Sequence, residues 1–257
     1  MHRLLVLCYG IVAYLMFLGS FLYTIGFVGN WLVPKSIDSG GAVGGGMSAL
    51  IVDGLLLGLF ALQHSVMARP AFKRRWTRIV AEPAERTTYV FLTAVVLGLL
   101  FWQWRPLPAS IWNLTSGPLR TLVWGVNGLG WVVVLISTFL IDHFELFGLR
   151  QVMTYFRGQA PPKIDFQARA FYRYVRHPLM VGFLIAFWAT PTMSVGHLFF
   201  AAMTTAYVLV AIRLEERDLA TVHGESYRQY QRQVGMLIPR PARALTGVVA
   251  APNKGLR

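Results

Sequence analysis

The sequence predicts an all-α integral membrane protein with about four transmembrane helices, a proline-split C-terminal helical hairpin and an amphipathic helix on the membrane surface. Three observations predict it. Of the 257 residues, 55% are hydrophobic and only 14% charged, where a soluble domain carries roughly 25% charge. The apolar residues gather into runs long enough to cross about 30 Å of hydrocarbon. Lysine and arginine sit between these runs, so the net charge of +13 reads as positive-inside topology, and nucleic acid is not an expected partner. Cys8 is the only cysteine, which excludes an internal disulfide and a cysteine metal cluster.

Leu4 to Val28 forms the first run. It is too long for the core of a signal peptide and lacks a small-residue cleavage site, so it reads as a retained helix. Gly29 to Met47 is a loop whose stretch Ser39-Gly40-Gly41-Ala42-Val43-Gly44-Gly45-Gly46 offers nothing to hold a fixed backbone. Its Lys35 and Asp38 are expected to cancel. Ser48 to Met67 is the second span, with Asp53 near its start and Gln63-His64 near its end. A basic loop follows, with Arg69, Lys73, Arg74, Arg75, Arg78 and Arg86 against Glu82 and Glu85. Thr87 to Trp104 is the third span and ends on Trp102 and Trp104, aromatic anchors of the interface kind. A short, nearly neutral loop leads to the fourth span, Leu119 to Ile141.

Asp142-His143-Phe144-Glu145 comes next, then a basic segment to His177. Residues 179–212 are too long an apolar run for one span and are broken at Pro191, which predicts two helices, each near the lower limit for crossing. Beyond Arg213, Tyr227, Tyr230 and Val234 recur at about one-turn spacing, as in a helix lying on the membrane surface. The organisation expected is a four-helix scaffold over 1–141, a cytoplasm-facing cofactor region over 142–240, and a disordered tail over 241–257.

The basic loops follow spans two and four and the hairpin, which puts them and both termini on the cytoplasmic side. His64, Asp142, His143, Glu145, His177, Glu215 and Glu216 then all fall at the cytoplasmic ends of their helices, although none of them entered the topology argument. That convergence is the basis for expecting one site. Taken singly, each residue also has a plain structural explanation. His64 can bond a neighbouring carbonyl at the interface. Asp142 and Glu145, three apart and on one face if the helix continues, can cap a helix end beside arginines. Arg176-His177-Pro178 suits a helix with proline in its first turn, whose free N–H groups also suit an anion. Glu215 and Glu216, costly so near a bilayer unless they meet cations, have Arg213 and Arg217 beside them. No metal-binding spacing is present, and no metal is expected.

Arg176-His177-Pro178, Gly182, the proline-split hairpin, Leu214-Glu215-Glu216, Leu219, His223-Gly224, Tyr227, Tyr230 and Pro239 together resemble the isoprenylcysteine carboxyl methyltransferase superfamily, which includes phospholipid methyltransferases. The shared C-terminal third binds S-adenosylmethionine in that superfamily. Met180 stands where the superfamily often has tyrosine. Upstream, residues 62–70, 85–89, 101–106 and 142–149 are similar to the bacterial methanethiol S-methyltransferases. Those membrane enzymes make dimethyl sulfide from methanethiol and S-adenosylmethionine. A neighbouring group, the NnrU-like membrane proteins linked to denitrification, shares part of the pattern.

The resemblance implies methyl transfer from S-adenosylmethionine to a small thiol, with hydrogen sulfide as a second acceptor to consider. The setting it implies is a bacterial inner membrane, with the lipid bilayer as partner. It implies catalytic roles for His64, Asp142 and His143, one histidine taking the thiol proton and Asp142 orienting it. The cofactor is expected against Tyr172, Tyr174, Arg176, His177, Pro178, Gly182, Glu215 and Glu216, with Tyr227 and Tyr230 closing the pocket. Two alternatives stay open: a membrane methyltransferase acting on a lipid amine or prenyl-cysteine carboxylate, and a non-enzymatic NnrU-like accessory protein.

Overall fold

The computed structural model describes residues 2–41, 45–160 and 170–240. Its helices are α1 (His2–Gly29), α2 (Gly46–Ala68), α3 (Pro70–Trp76), α4 (Glu82–Gln103), α5 (Pro118–Ile141), α6 (His143–Leu146), α7 (Leu149–Phe156), α8 (Pro178–Trp188), α9 (Val195–His223) and α10 (Glu225–Gln233). Two short strands, β1 (Ser110–Asn113) and β2 (Thr192–Ser194), pair antiparallel. Helices α1, α2, α4, α5 and α9 are long and apolar enough to cross a membrane, as the hydropathy pattern requires. The chain is a multi-pass membrane protein.

The proline-split hairpin is asymmetric. Helix α8 has only 11 residues and at 1.5 Å per residue stops short of a full crossing, whereas α9 has 29. Residues 189–194 turn the chain, and β2 is tied there to β1, with Leu114 N–H donating to Pro191 O at 2.8 Å. Ser194 caps α9 by accepting from His197 N–H at 2.9 Å. Helix α8 is held by its crossing with α5. A Cβ on Gly182 would lie 2.8 Å from Gly130 O, and one on Gly130 would lie 2.6 Å from Ala186 N. The two backbones therefore touch in the manner of small-residue membrane interfaces. Asn127 adds a donated hydrogen bond to Ala186 O at 2.8 Å.

The connection after α1 differs from the sequence expectation. Residues 30–41 are pinned into the bundle end. Ile37 is fully buried; its N–H donates to Phe27 O at 3.0 Å and its O accepts from Trp104 Nε1 at 3.0 Å. Lys35 and Asp38 do not pair. Lys35 donates to Trp102 O, and Asp38 accepts from Asn30 Nδ2 at 2.6 Å and from Ser194 Oγ. Hydrogen bonds to backbone carbonyls, which composition does not reveal, fix residues 35–39 ahead of the glycines. Residues 42–44, part of the basic segment (161–169) and the tail 241–257 lie outside the described residues.

Helix α10 also differs. Tyr227, Tyr230 and Val234 are buried against Leu219 and Ala220 of α9. The amphipathic face is real, and these residues pack it on the chain itself.

Candidate functional site

Two ends of the bundle can be told apart by their contacts. Residues 30–41, 105–117 and 189–194 meet at one end. The ends of α2 and α5 and the starts of α4 and α8 meet the α9–α10 corner at the other. His64, Asp142, His143, Glu145, His177, Glu215 and Glu216 are all at this second end.

Glu216 is its hub. Gly224, at φ +60°, turns α10 back along α9 and so lays residues 231–236 beside Arg176 and His177. Arg176 N–H donates to Gly235 O at 2.8 Å and His177 N–H to Met236 O at 3.2 Å. This backbone pairing holds both side chains over α9. Arg176 Nε donates to Glu216 Oε1 at 2.6 Å, His177 Nε2 to the same oxygen at 3.0 Å, and Gln231 Nε2 to Oε2 at 3.0 Å. Arg176 Nη1 also donates to Gln231 O at 3.0 Å and to Val234 O. The side chains of Arg176 and Glu216 are 8% and 13% exposed, so this charge-assisted network is largely shielded from water. The cation that Glu216 meets is Arg176, forty residues earlier, and not the neighbouring Arg213 or Arg217. Glu215 is different: its side chain is 49% exposed, and one of its oxygens lies 3.7 Å from His177 Nδ1. It retains acceptor capacity.

His64 projects from α2 against α4. Tyr89 Oη lies 2.7 Å from its Nε2 and 3.0 Å from its Nδ1. The Thr93 hydroxyl, 3.4 Å from Nδ1, donates to Tyr89 O at 2.9 Å. Among the described residues, Tyr89 is thus the closest hydrogen-bonding partner of the ring. Phe60 stacks on it with centroids 5.2 Å apart. Ser65 Oγ donates to Tyr207 Oη at 3.4 Å, and Arg69 bonds Asp218 at 2.9 Å. Together these contacts bring the His64 wall and the Glu215–Glu216 corner to the same side of the bundle.

His143 sits differently. Thr138 Oγ1 spends its proton on Leu135 O at 2.7 Å and lies 2.9 Å from His143 Nδ1. Nδ1 therefore carries the ring proton and donates to Thr138, which leaves Nε2 to accept from Tyr14 Oη at 2.8 Å. Both nitrogens are committed. Phe139 stacks on the ring at 4.4 Å. Burial pushes the imidazole below its ordinary pKa, opposed by Asp142. A recess of about 260 Å³ opens beside it, lined in part by Phe139, Asp142 and Arg150.

Among the described residues, Asp142 bonds Glu145 and Arg150, not a histidine. Its φ of +151° breaks the helix between α5 and α6, a conformation that costs an L-residue energy. The break turns the carboxylate onto Glu145 N–H at 3.2 Å and onto Arg150 at 2.5 Å. Because the helix does not run through Asp142, it and Glu145 do not form the continuous face that their spacing predicts. Glu145 accepts from Gln151 Nε2 at 2.7 Å, and burial raises its pKa.

The remaining expected residues divide. Pro178 opens α8 with His177 as its N-cap. Gly182 is buried in the α5–α8 crossing, and packing accounts for it. Tyr174 is exposed, while Tyr172 is half-buried and accepts at its carbonyl from Tyr230 Oη at 2.6 Å. The rings of Tyr227 and Tyr230 fill the α9–α10 contact. Sequence reasoning missed Tyr14, Tyr89, Thr138, Gln231 and Tyr207. Only Tyr89 carried a signal: a tyrosine in an apolar span at a depth similar to that of His64 on the adjacent antiparallel helix.

Comparison with known proteins bears on this arrangement. The NnrU protein family model matches residues 54–251. The methanethiol S-methyltransferase of Mycobacterium tuberculosis is 53% identical over 243 residues, which cover 95% of this chain and 99% of that protein. The chain belongs to the methanethiol S-methyltransferase family. It is a methyltransferase, and the NnrU likeness does not mark it as a non-enzymatic accessory. Methanethiol S-methyltransferase 2 of Bradyrhizobium diazoefficiens is 54% identical, over 93% of this chain and 91% of that one. Nurim of Danio rerio is 31% identical over 67% of this chain and 65% of its own length. No solved structure matches.

Proposed function

We propose that the chain transfers a methyl group from S-adenosylmethionine to methanethiol, giving dimethyl sulfide, at the bundle end that holds Glu216. Hydrogen sulfide is the further acceptor to test. The observation that carries the reading is the pairing of a satisfied carboxylate with an available one. Glu216 is fully engaged by Arg176, His177 and Gln231, while the adjacent Glu215 stands half-exposed beside the start of α8.

The donor set fits S-adenosylmethionine. Glu215 suits its ammonium or ribose hydroxyls, and the free N–H groups of the first turn of α8 suit its carboxylate. An apolar recess of about 190 Å³, lined in part by Phe171, Tyr174, Pro178 and Leu237, suits a flat base. Tyr172 and Tyr174 flank this side. Arg176, His177 and Glu216 fix the backbone that shapes it, with Gly182 setting the depth of α8 and Tyr227 and Tyr230 bracing α10. When bound, the cofactor supplies an electrophilic methyl group on a sulfonium.

The chain's part is to deliver thiolate and exclude water. A cysteine thiol has a pKa of about 8.5 and reacts as the thiolate, so a base helps near neutral pH. His64 takes the thiol proton on a ring nitrogen that Tyr89, whose hydroxyl reaches both nitrogens, gives up to the thiol, and Tyr89 holds the ring in place through the other. His143, with both nitrogens committed, shapes the neighbouring recess, and Asp142 fixes the α5–α6 break through Arg150. Phe60, Tyr89 and Tyr207 keep the His64 wall dry, which favours a step in which opposite charges cancel. Lysine and arginine placement supports a cytoplasmic position for this end at a bacterial inner membrane.

Headspace gas chromatography of the purified chain with S-adenosylmethionine and methanethiol tests the reading. Dimethyl sulfide from the wild type, and little from Glu215→Gln, is the expected result. Cofactor binding by folded protein without dimethyl sulfide would move the acceptor elsewhere. Absence of both would overturn the proposal.

A further inference from the structure

Helix α3 has no part in the chemistry above. It leaves the end of α2 at Arg69, which serves as C-cap of one helix and N-cap of the next. It therefore lies where a spanning helix meets the membrane surface. Phe72 and Trp76, four apart, stack with centroids 5.5 Å apart and pack toward Met67 and Tyr89. That contact turns the opposite face outward, and on it Arg74, Arg75 and Arg78 are all exposed. Turns continue the helix to this point, with Arg78 N–H donating to Arg75 O at 3.2 Å. Ile79, 80% exposed, follows directly and adds an apolar side chain to the same rim.

The cations here outnumber their partners. Arg69 is taken by Asp218, and Lys73 has only Glu85 at 3.9 Å. Burial and the like charges of Arg86 and Arg69 depress the Lys73 pKa, with Glu85 opposing. Among the described residues, Arg74, Arg75 and Arg78 have no side-chain hydrogen bond or ion pair. An arginine cluster of this kind fits a phosphodiester, and exposed aliphatic surface beside it fits the acyl boundary of a bilayer.

We propose that the outer face of α3, with Arg74, Arg75 and Arg78, is a binding site for the headgroup of an anionic phospholipid in the leaflet on which this end of the bundle rests. Each basic residue held at an anionic membrane surface contributes roughly a fivefold preference for it. The site would select phosphatidylglycerol over phosphatidylcholine, and the contact would anchor α3 and, through Phe72 and Trp76, the Tyr89 side of α4.

The full-length protein, reconstituted in mixed phosphatidylglycerol and phosphatidylcholine nanodiscs and released for native mass spectrometry, reports which lipids it retains. The expected result is preferential retention of phosphatidylglycerol by the wild type. In Arg74→Gln/Arg75→Gln/Arg78→Gln that preference falls by tenfold or more. Arg120→Gln, whose side chain donates to Leu114 O at the other end, keeps it. Equal retention of both lipids by the wild type would overturn the proposal, as would a triple variant that keeps the preference. Displacement of phosphatidylglycerol by inorganic phosphate alone would also overturn it, by reducing the site to one for a free anion.

Discussion

The two ends of the bundle carry similar residue types and use them differently. At the far end, Asp53 and His197 bond backbone groups, and Asp38 bonds two side chains. Asp53 accepts from Arg105 N–H at 2.9 Å, His197 Nε2 lies 2.8 Å from Phe187 O, and Asp38 holds Ser194 and Asn30. These bonds latch loops to helix ends, and Asp53 and His197 are wholly buried. At the near end, carboxylates meet cations across elements distant in sequence, the backbone is strained at Asp142, and Glu215 is left half-exposed with capacity to spare. The far end lowers the cost of ending helices in a membrane protein. The near end maintains charge and open acceptors where a polar ligand can reach them.

The comparison is broken most directly at Glu216. Glu216→Ala leaves Arg176 and His177 shielded and without their counter-charge, which costs about 3–5 kcal/mol. Thermal unfolding in detergent should shift down accordingly, and S-adenosylmethionine affinity should fall by about a hundredfold or more. His64→Ala is expected to lower single-turnover methyl transfer by roughly 10²–10⁴-fold with cofactor affinity unchanged. His143→Ala, on the committed ring, should cost less than about tenfold. Equal losses at the two histidines would erase the distinction drawn between them.

Much of the architecture was legible beforehand. The spans, the break near Pro191 and the gathering of seven polar residues at one end all follow from hydropathy and from lysine and arginine placement. What escaped reading depends on three-dimensional pairing. The Arg176–Glu216 bond joins residues forty apart, while the adjacent Arg213 and Arg217 offered a nearer and mistaken partner. The helix break at Asp142 has no glycine or proline to announce it. Residues 30–41 looked unanchored because their ties run through backbone groups to Phe27, Trp102 and Trp104. The shortness of α8 was underestimated: it was expected near the lower limit for crossing, although Pro191 stands only three residues past its end at Trp188.

Smaller effects sharpen the contrast. Burial depresses the His143 pKa below 6.5, so the unfolded chain binds that proton more readily. The stability contributed by the neutral ring is complete above about pH 6.5 and is lost as the pH falls through the folded value. Thermal melts of His143→Gln should accordingly show a shallower acid limb than the wild type. Smallest of all, Asp53→Asn should leave methyl transfer unchanged. One of its oxygens already lacks a partner, and the hydrogen bond from Arg105 survives the change.

The most direct test is calorimetric titration of S-adenosylmethionine into the wild type, Glu216→Gln and Asp53→Asn, each shown to be folded. Retained affinity in Asp53→Asn, with at least a tenfold loss in Glu216→Gln, is the predicted result. Unchanged affinity in Glu216→Gln, or a loss confined to Asp53→Asn, would contradict it and move the cofactor away from the α9–α10 corner.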